Sequence, residues 1–400
     1  MNNRTKRAVV EFSVQWQSPY ATHRDRIYAG KIDFWRDFFP GNLHDGIKAL
    51  DIGGKYVEHF APGVLVPPYS KVHVRHIKKK DFGKDTAADA VSPVVGRYYP
   101  QDLAWKQLNC FPGDTTPFRI IGATETSLLA DTNHPLSQYA LTVAAQILDV
   151  QKIAVQRGGS LTDVADILCQ NGPGMQIPTE KAEMSMYGAY PFQRANAEID
   201  TEFYRTPRLV QHLDNTARRH VRDIYGRLLR PGMQILDLMS SIESHLPGNT
   251  QDYSVTGLGL NDEEMQQNRA LSTYMVQDLN TFITLPFSDK TFDAVLCTVS
   301  IEYLMRPFEV LAEIERVLLP GGVAVVVVSD RWFPGKEMVI WPDLHPFERQ
   351  GYVLNLFRRQ KALINLHTES IRGYPRPDDD RHSASTFTSD PIFAVWGEKQ

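Results

Sequence analysis

Pro307-Phe-Glu-Val-Leu-Ala-Glu-Ile-Glu-Arg-Val-Leu-Leu-Pro-Gly-Gly-Val-Ala-Val-Val-Val-Val-Ser329 is the stretch on which the fold turns. Pro307–Leu318 is amphipathic at helical spacing, with proline at a first helical position. Pro320-Gly321-Gly322 ends that helix. Val323–Ser329 then shows no polar alternation, the mark of a strand in a sheet covered on both faces. Upstream, Phe292–Thr298, Tyr274–Gln277, Ser254–Leu258 and Gln234–Leu238 read as further strands, and Asp262-Glu-Glu-Met265 opens a short helix. Thr206-Pro207 starts a longer helix, with Leu209, Leu213, Ala217, Val221, Ile224 and Leu228 at helical spacing through Leu229. Strands alternating with helices predict an α/β doubly wound, mostly parallel sheet over residues 201–400. Ligands on such sheets bind beyond the strands' C-terminal ends.

Before Thr201 the pattern changes. Glycine, proline and short β-rich runs dominate: Val9–Trp16, Gly54–His59, Phe118–Thr124 and Leu141–Val150. Helical pattern is confined to Ile32–Phe39, so a mainly β domain of antiparallel strands around one helix is expected over residues 1–157. Gly158-Gly159 and Gly172-Pro173-Gly174 bracket a helix opened by Ser160-Leu-Thr-Asp163, and residues 158–200 read as a helical connecting segment. A chain of 400 residues exceeds what one compact core usually holds.

Composition narrows the function classes. Apolar residues make up 42% and aromatics 10%, enough for buried cores. A net charge of −4 leaves no electrostatic footprint for nucleic acid or anionic lipid. The basic run His73–Lys80 reads as a solvated loop. The first ten residues lack an apolar core of the secretory type, and no apolar run approaches the roughly 20 residues of a membrane helix. Cys110, Cys169 and Cys297 are dispersed and form no CxxC pair, so no metal site and a cytoplasmic location are expected. Cys297, in an apolar run, reads as a buried inert thiol.

The strand Ile235-Leu-Asp-Leu238, the segment Asp278-Leu279-Asn280 leading to Leu285-Pro286-Phe287, Phe292-Asp293, Ser300-Ile-Glu-Tyr-Leu304 and Pro320-Gly321-Gly322 together resemble class I S-adenosylmethionine-dependent methyltransferases of the small-molecule, type 11 kind. Pro391-Ile-Phe-Ala-Val-Trp-Gly397 is similar to that family's final antiparallel strand. The resemblance implies S-adenosyl-L-methionine as cofactor. It assigns Asp237 to the edge of the first strand and Asp278, with Leu279 and Asn280, to the adenine. Two positions depart from the family. The turn after the first strand carries Met239, Ser241 and Glu243 where the family has glycines. It resembles a Ser-Ser variant in which Ser240 and Ser241 offer small hydrogen-bonding groups. Gly259 stands where the family has the carboxylate that grips the ribose, leaving Asn261 or Asp262, beyond Leu260, as substitutes; Ser300 closes the cofactor set.

For the methyl acceptor, Tyr204, His245, Glu302, Tyr303 and Trp341 are candidates at the strand edges. His245 is placed to act as a base, while Tyr204, with Arg208 and His212, forms a lid. Tyr303, Trp341 and Arg208 are expected to touch the substrate. A lone histidine is more often structural, and the lid aromatic is as readily packing.

In the first half, Asp131-Thr-Asn-His-Pro-Leu136 followed by Leu141–Val150 resembles the end of SlyD-type FKBP prolyl isomerases, with Phe118–Thr124 as the preceding strand. That implies an aromatic-lined pocket drawn from Tyr28, Tyr56, Phe60, Tyr69, Tyr98, Tyr99 and His134. The family's chaperone insert and histidine-rich tail are not recognised, and His134 or the neighbouring Asn133 reads first as closing the turn. Three readings stay open: a methyltransferase of a small molecule with an FKBP-like accessory domain, a non-catalytic binding or assembly protein, and a prolyl isomerase with an accessory domain.

Overall fold

The computed structural model describes residues 6–84, 91–152, 159–170, 172–179 and 192–400. The chain divides into two compact units, Met1–Pro19 with His23–Ala189, and Tyr20–Thr22 with Tyr190–Gln400.

The first unit is mainly β. Strands β1 (Lys6–Gln17), β2 (Thr22–Asp33), β3 (Lys55–Phe60) and β8 (Leu141–Lys152) lie in the order β2-β1-β8-β3. The β1–β8 and β3–β8 pairs are antiparallel. The expected helix at Ile32–Phe39 is absent. Strand β2 runs to Asp33, whose carbonyl then takes the N–H groups of Arg36 and Asp37 in a turn, and helix α1 forms at Leu43–Lys48 instead. Between β3 and β8 the chain builds a second four-stranded sheet, order β4-β7-β6-β5, from β4 (Val74–Lys78), β5 (Tyr98–Pro100), β6 (Pro117–Ala123) and β7 (Ser127–Asp131), with helix α2 (Trp105–Leu108). It has its own core of Ile77, Phe82, Tyr99, Leu103, Phe118, Ile120 and Leu128. The basic run at residues 73–80 is therefore an edge strand, not a loop, and charged edges resist unwanted pairing. Tyr98 and Tyr99 belong to this sheet, whereas Tyr56 and Phe60 lie on β3 of the other. His134 is engaged at both ring nitrogens, accepting from the Leu136 N–H at 3.0 Å and donating to the Cys169 carbonyl at 2.9 Å, so it closes the turn. Helix α3 (Val164–Cys169) is capped by Asp163.

The second unit begins with a short helix α4 (Asp200–Phe203) and then α5 (Asn215–Leu228). Strands β9 (Gln234–Leu238), β10 (Ser254–Gly259), β11 (Thr273–Val276), β12 (Phe292–Thr298), β13 (Leu318–Val328), β14 (Leu363–Arg372) and β15 (Ile392–Lys399) form a sheet in the order β11-β10-β9-β12-β13-β15-β14. Neighbours from β11 to β13 are parallel, and β15 runs antiparallel to both β13 and β14. Helices α6 (Asp262–Gln267), α7 (Pro307–Val317) and α8 (Pro346–Arg358) complete the unit. This is a class I Rossmann-like architecture. Chain order reverses between β9 and β12, and there a crevice opens at the strands' C-terminal ends.

The helix expected from Thr206 starts later. Asp214 is its cap, accepting from the Thr216 and Ala217 N–H groups at 2.8 and 3.0 Å. The freed segment before it leaves regular structure and enters the site.

Candidate active site

A cavity of about 490 Å³ opens at the C-terminal edge of the second unit's sheet. That volume lies within the range of small-molecule pockets, roughly 300–1,000 Å³. Its walls are the turn after β9, the starts of the segments after β10, β11, β12 and β13, and the irregular stretch between α4 and α5. Of the residues singled out from sequence, Tyr204, Arg208, Asp237, Met239, Ser240, Ser241, His245, Gly259, Leu260, Asn261, Asp278, Leu279, Asn280, Ser300 and Tyr303 all line it. Trp341 does not. It is fully buried, its ring set edge-on to Tyr352 at 5.9 Å, and serves the core. Glu302 is also buried outside the cavity wall, and Asp262 is exposed, holding Gln266 at 2.5 Å.

The turn after β9 explains both departures from the expected pattern. Met239 takes the left-handed backbone conformation, φ +58°, where glycine is the unstrained choice. Ser240 then pins the turn to β10, its N–H donating to the Leu258 carbonyl at 2.8 Å. Its hydroxyl donates to Asp237 at 2.6 Å, and Ser244 donates to the same carboxylate oxygen at 2.7 Å. Burial pushes the Asp237 carboxyl up to about 6, partly offset by those two hydrogen bonds. Ser241 donates to Glu264 at 2.6 Å. Each hydroxyl proton thus goes to a protein carboxylate. Glu243, also on the cavity wall, pairs with Arg218 at 2.6 Å and with Arg222.

The Ser240 carbonyl lies against Gly259. A Cβ at 259 would lie inside van der Waals distance of that oxygen and 3.0 Å from Met265 Sδ. No ribose-gripping side chain fits there. The carboxylate that does reach this wall is Glu264 on α6, which the sequence reading took only as part of a helix start. One oxygen accepts from Ser241 and the other from the Arg208 N–H at 2.6 Å. Asn261 caps α6 and donates to the Tyr204 carbonyl at 2.8 Å, tying the irregular stretch down.

Asp278 lines the cavity and also closes its own turn, accepting from the Asn280 N–H at 2.8 Å and from Thr281 at 2.7 Å. Asn280 donates to Asp200 and to the Tyr303 carbonyl, and accepts from Met305. Asp200 is a buried anchor missed by the sequence reading. Arg194 at 2.7 Å and Lys336 at 3.0 Å hold it, and the hydrogen bonds from Asn280, Lys336 and Arg194 outweigh burial to keep its carboxyl low.

The remaining wall is aromatic and basic. The Arg208 guanidinium sits over the rings of Phe203, Tyr204 and Phe333, at 4.5, 5.2 and 4.8 Å. The buried Tyr204 hydroxyl has no hydrogen-bond partner among the described residues, and burial raises its pKa, so it stays protonated. His245 has φ +53° and a buried Nδ1 without a hydrogen bond, 3.6 Å from Glu243. Burial lowers it to about 4, against the opposing pull of Glu243, so the ring is neutral at pH 7.

Residues 244–326 match a family model described as a methyltransferase domain. The match starts just past the Ser-Ser turn. Among curated proteins the chain is similar to squalene methyltransferase 1 of Botryococcus braunii, 31% identical over 105 residues, which is 24% of this chain and 27% of that protein. It is also similar to the ubiquinone/menaquinone biosynthesis C-methyltransferase UbiE of Laribacter hongkongensis, 27% identical over 159 residues, covering 38% and 64% of the two chains. The chain thus spans less than two thirds of the length of these relatives. Among solved structures, a SAM-dependent methyltransferase from Aquifex aeolicus aligns over 51% of this chain and all of that one, at 15% identity and a TM-score of 0.33. The matched stretch lies within the second unit, and S-adenosyl-L-methionine is the cofactor that this match implies.

Proposed function

We propose that the chain is an S-adenosylmethionine-dependent methyltransferase acting on a small molecule. One observation carries the reading: the cavity stays open beside the altered turn, with Asp237, Glu264 and Asp278 along the edge where this fold binds ligands. A turn that filled the pocket would have favoured a purely structural protein. Asp237, Met239, Ser240, Ser241, Gly259, Leu260, Asn261, Asp278, Leu279, Asn280 and Ser300 form the cofactor side, and Glu264 joins them as a carboxylate on the wall where position 259 offers none.

The bound cofactor supplies an electrophilic methyl group. What the protein adds is alignment and exclusion of water for an in-line displacement. Tyr204 offers a protonated hydroxyl donor to the acceptor. His245, neutral and weakly basic, accepts a hydrogen bond there rather than acting as a strong base. Tyr303 holds the wall by accepting from the Phe333 N–H at 2.9 Å.

Calorimetric titration of the full chain with S-adenosylhomocysteine tests the reading. At a hundredfold excess over the dissociation constant, stability should rise by about 2.7 kcal/mol. No heat and no melting shift at millimolar ligand would defeat it.

For the first unit we propose an FKBP-like accessory domain with little isomerase activity. Its support is the Asp131–Leu136 turn leading into β8, with His134 committed to holding that turn. Exchange NMR on a proline peptide with the full chain should show turnover far below that of an ordinary FKBP. Cys110, Cys169 and Cys297 form no disulfide among the described residues, which suits a reducing, cytoplasmic compartment.

A further inference from the structure

Arg208, Arg331 and Arg381 line the cavity, yet no carboxylate among the described residues pairs with any of their guanidinium groups. Arg208 spends one terminal nitrogen on the Phe203 carbonyl at 3.2 Å, and its buried Nη1 has no partner. Arg331 and Arg381 both donate to a single neutral acceptor, Nε2 of His382, each at 3.0 Å. Two cations converging on one imidazole nitrogen repel each other, and only an anion between them reverses the sign. The field is visible at His212, a fourth residue of the wall. Burial lowers its pKa most, Glu264 opposes, and Arg208, Arg381 and Arg331 each lower it further.

The cavity's carboxylates do not neutralise this cluster. Asp330 is taken by Arg349 at 2.7 Å, Glu243 by Arg218 and Arg222, and Asp200 by Arg194 and Lys336. Glu264 reaches Arg208 only at its backbone N–H. The cluster also lies apart from the cofactor side in chain terms. It comes from the stretch before α5, from the segment after β13 and from the later loop at 381–382, whereas the cofactor candidates lie at the end of β9 or follow β9, β10, β11 and, for Ser300, β12. Phe333 and Tyr204 supply flat apolar surfaces beside the cations, Phe333 stacking edge-on to His212 at 5.4 Å.

We propose that the methyl acceptor is an anionic small molecule, a carboxylate or phosphate ester with a flat apolar body. Its anionic group is bound by Arg208, Arg331 and Arg381, and its body packs on Tyr204 and Phe333. The proposal rests on the methyltransferase reading and deepens it. A guanidinium fork matches such oxyanions in geometry as well as charge.

The same chemistry could serve the cofactor's own carboxylate, and the experiment separates the two sources. Full-length protein is saturated with S-adenosylhomocysteine and titrated with benzoate, phenyl phosphate and the neutral isostere benzamide. Benzoate and phenyl phosphate should bind at least tenfold more tightly than benzamide. Arg331→Gln and Arg381→Gln should erase that preference while changing the affinity for S-adenosylhomocysteine less than twofold. Equal binding of benzoate and benzamide overturns the proposal. So does a loss of S-adenosylhomocysteine affinity in the arginine variants, which would give the cluster to the cofactor. Failure of S-adenosylhomocysteine to bind at all strikes the methyltransferase reading instead, and the benzoate preference is then read on the ligand-free protein, where its absence sinks this proposal independently.

Discussion

Replacing Gly259 by aspartate restores the acid that the family places at the ribose, and it should make the protein worse. The new Cβ would press into the Ser240 carbonyl and sit 3.0 Å from Met265 Sδ, where carbon contacts normally begin at about 3.5 Å. The turn cannot slide aside cheaply. Ser240 is bonded through its N–H to Leu258 at 2.8 Å and through its hydroxyl to Asp237 at 2.6 Å. Overpacking of this kind costs about 1–3 kcal/mol. For a domain of roughly 200 residues that lowers the melting temperature by about 2–12 °C. Calorimetric melting and S-adenosylhomocysteine titration of Gly259→Asp and Gly259→Ala are the assay. Alanine carries only the Cβ, so it should account for most of the instability, and aspartate should weaken ligand binding by about tenfold, equivalent to 1.4 kcal/mol. An aspartate variant that melts like the parent and binds more tightly would refute the steric coupling between the turn and β10.

Asp200→Asn leaves Arg194 and Lys336 buried without their counter-charge and should cost about 3–5 kcal/mol in urea unfolding. Because the folded state lowers the Asp200 pKa, that advantage exists above the unfolded carboxylate pKa and fades as pH falls toward the lowered value, so wild type and variant should converge in strong acid. Asp237 and His245 pull in opposite directions. The folded Asp237 pKa of about 6 lies above its unfolded value, so its contribution is lost as pH rises from about 4 through 6, and Asp237→Asn should gain stability over wild type across that window. His245, at about 4 when folded, destabilises as pH falls from about 6.5 through 4, and His245→Gln should flatten that decline in pH-dependent melting. Ser241→Leu removes the hydrogen bond to Glu264 and fills the cavity wall. It should abolish S-adenosylhomocysteine binding in calorimetry while far-ultraviolet circular dichroism stays native.

The parallel core was legible because Val323–Val328 is an unbroken buried apolar run, while Ile235–Leu238 and Phe292–Cys297 are each broken by a single aspartate, Asp237 and Asp293. What escaped lacked such a signature. Helix α8 is buried from Phe347 to Phe357 on every face, so it shows no polar stripe to mark it as a helix. Strand β14 buries Thr368, Glu369 and Ser370, and Glu369 is stabilised by Arg227 at 2.8 Å, a partner far away in sequence. The start of α5 was misplaced because Leu209 continues the helical spacing although it is exposed outside the helix. Spacing reports periodicity, not which residue caps. At the site, sequence marked most of the positions that gather around the cavity, Arg208 among them, but not Glu264, Asp200, Arg331 or Arg381, since charged residues read first as solvated.

The two departures from the family pattern, counted from sequence as separate losses, are one structural change. In the turn after β9, Met239 takes positive φ and the Ser240 carbonyl lies against Gly259 at the end of β10. Only glycine tolerates that approach, so the carboxylate at 259 goes as a consequence of the turn. A carboxylate that lines the same cavity arises five residues later. Glu264 is held toward the cavity by Ser241, the second residue of the same turn, and each of its oxygens keeps a lone pair after accepting one hydrogen bond. Here the serine that displaces one acidic ligand stands beside the serine that positions another.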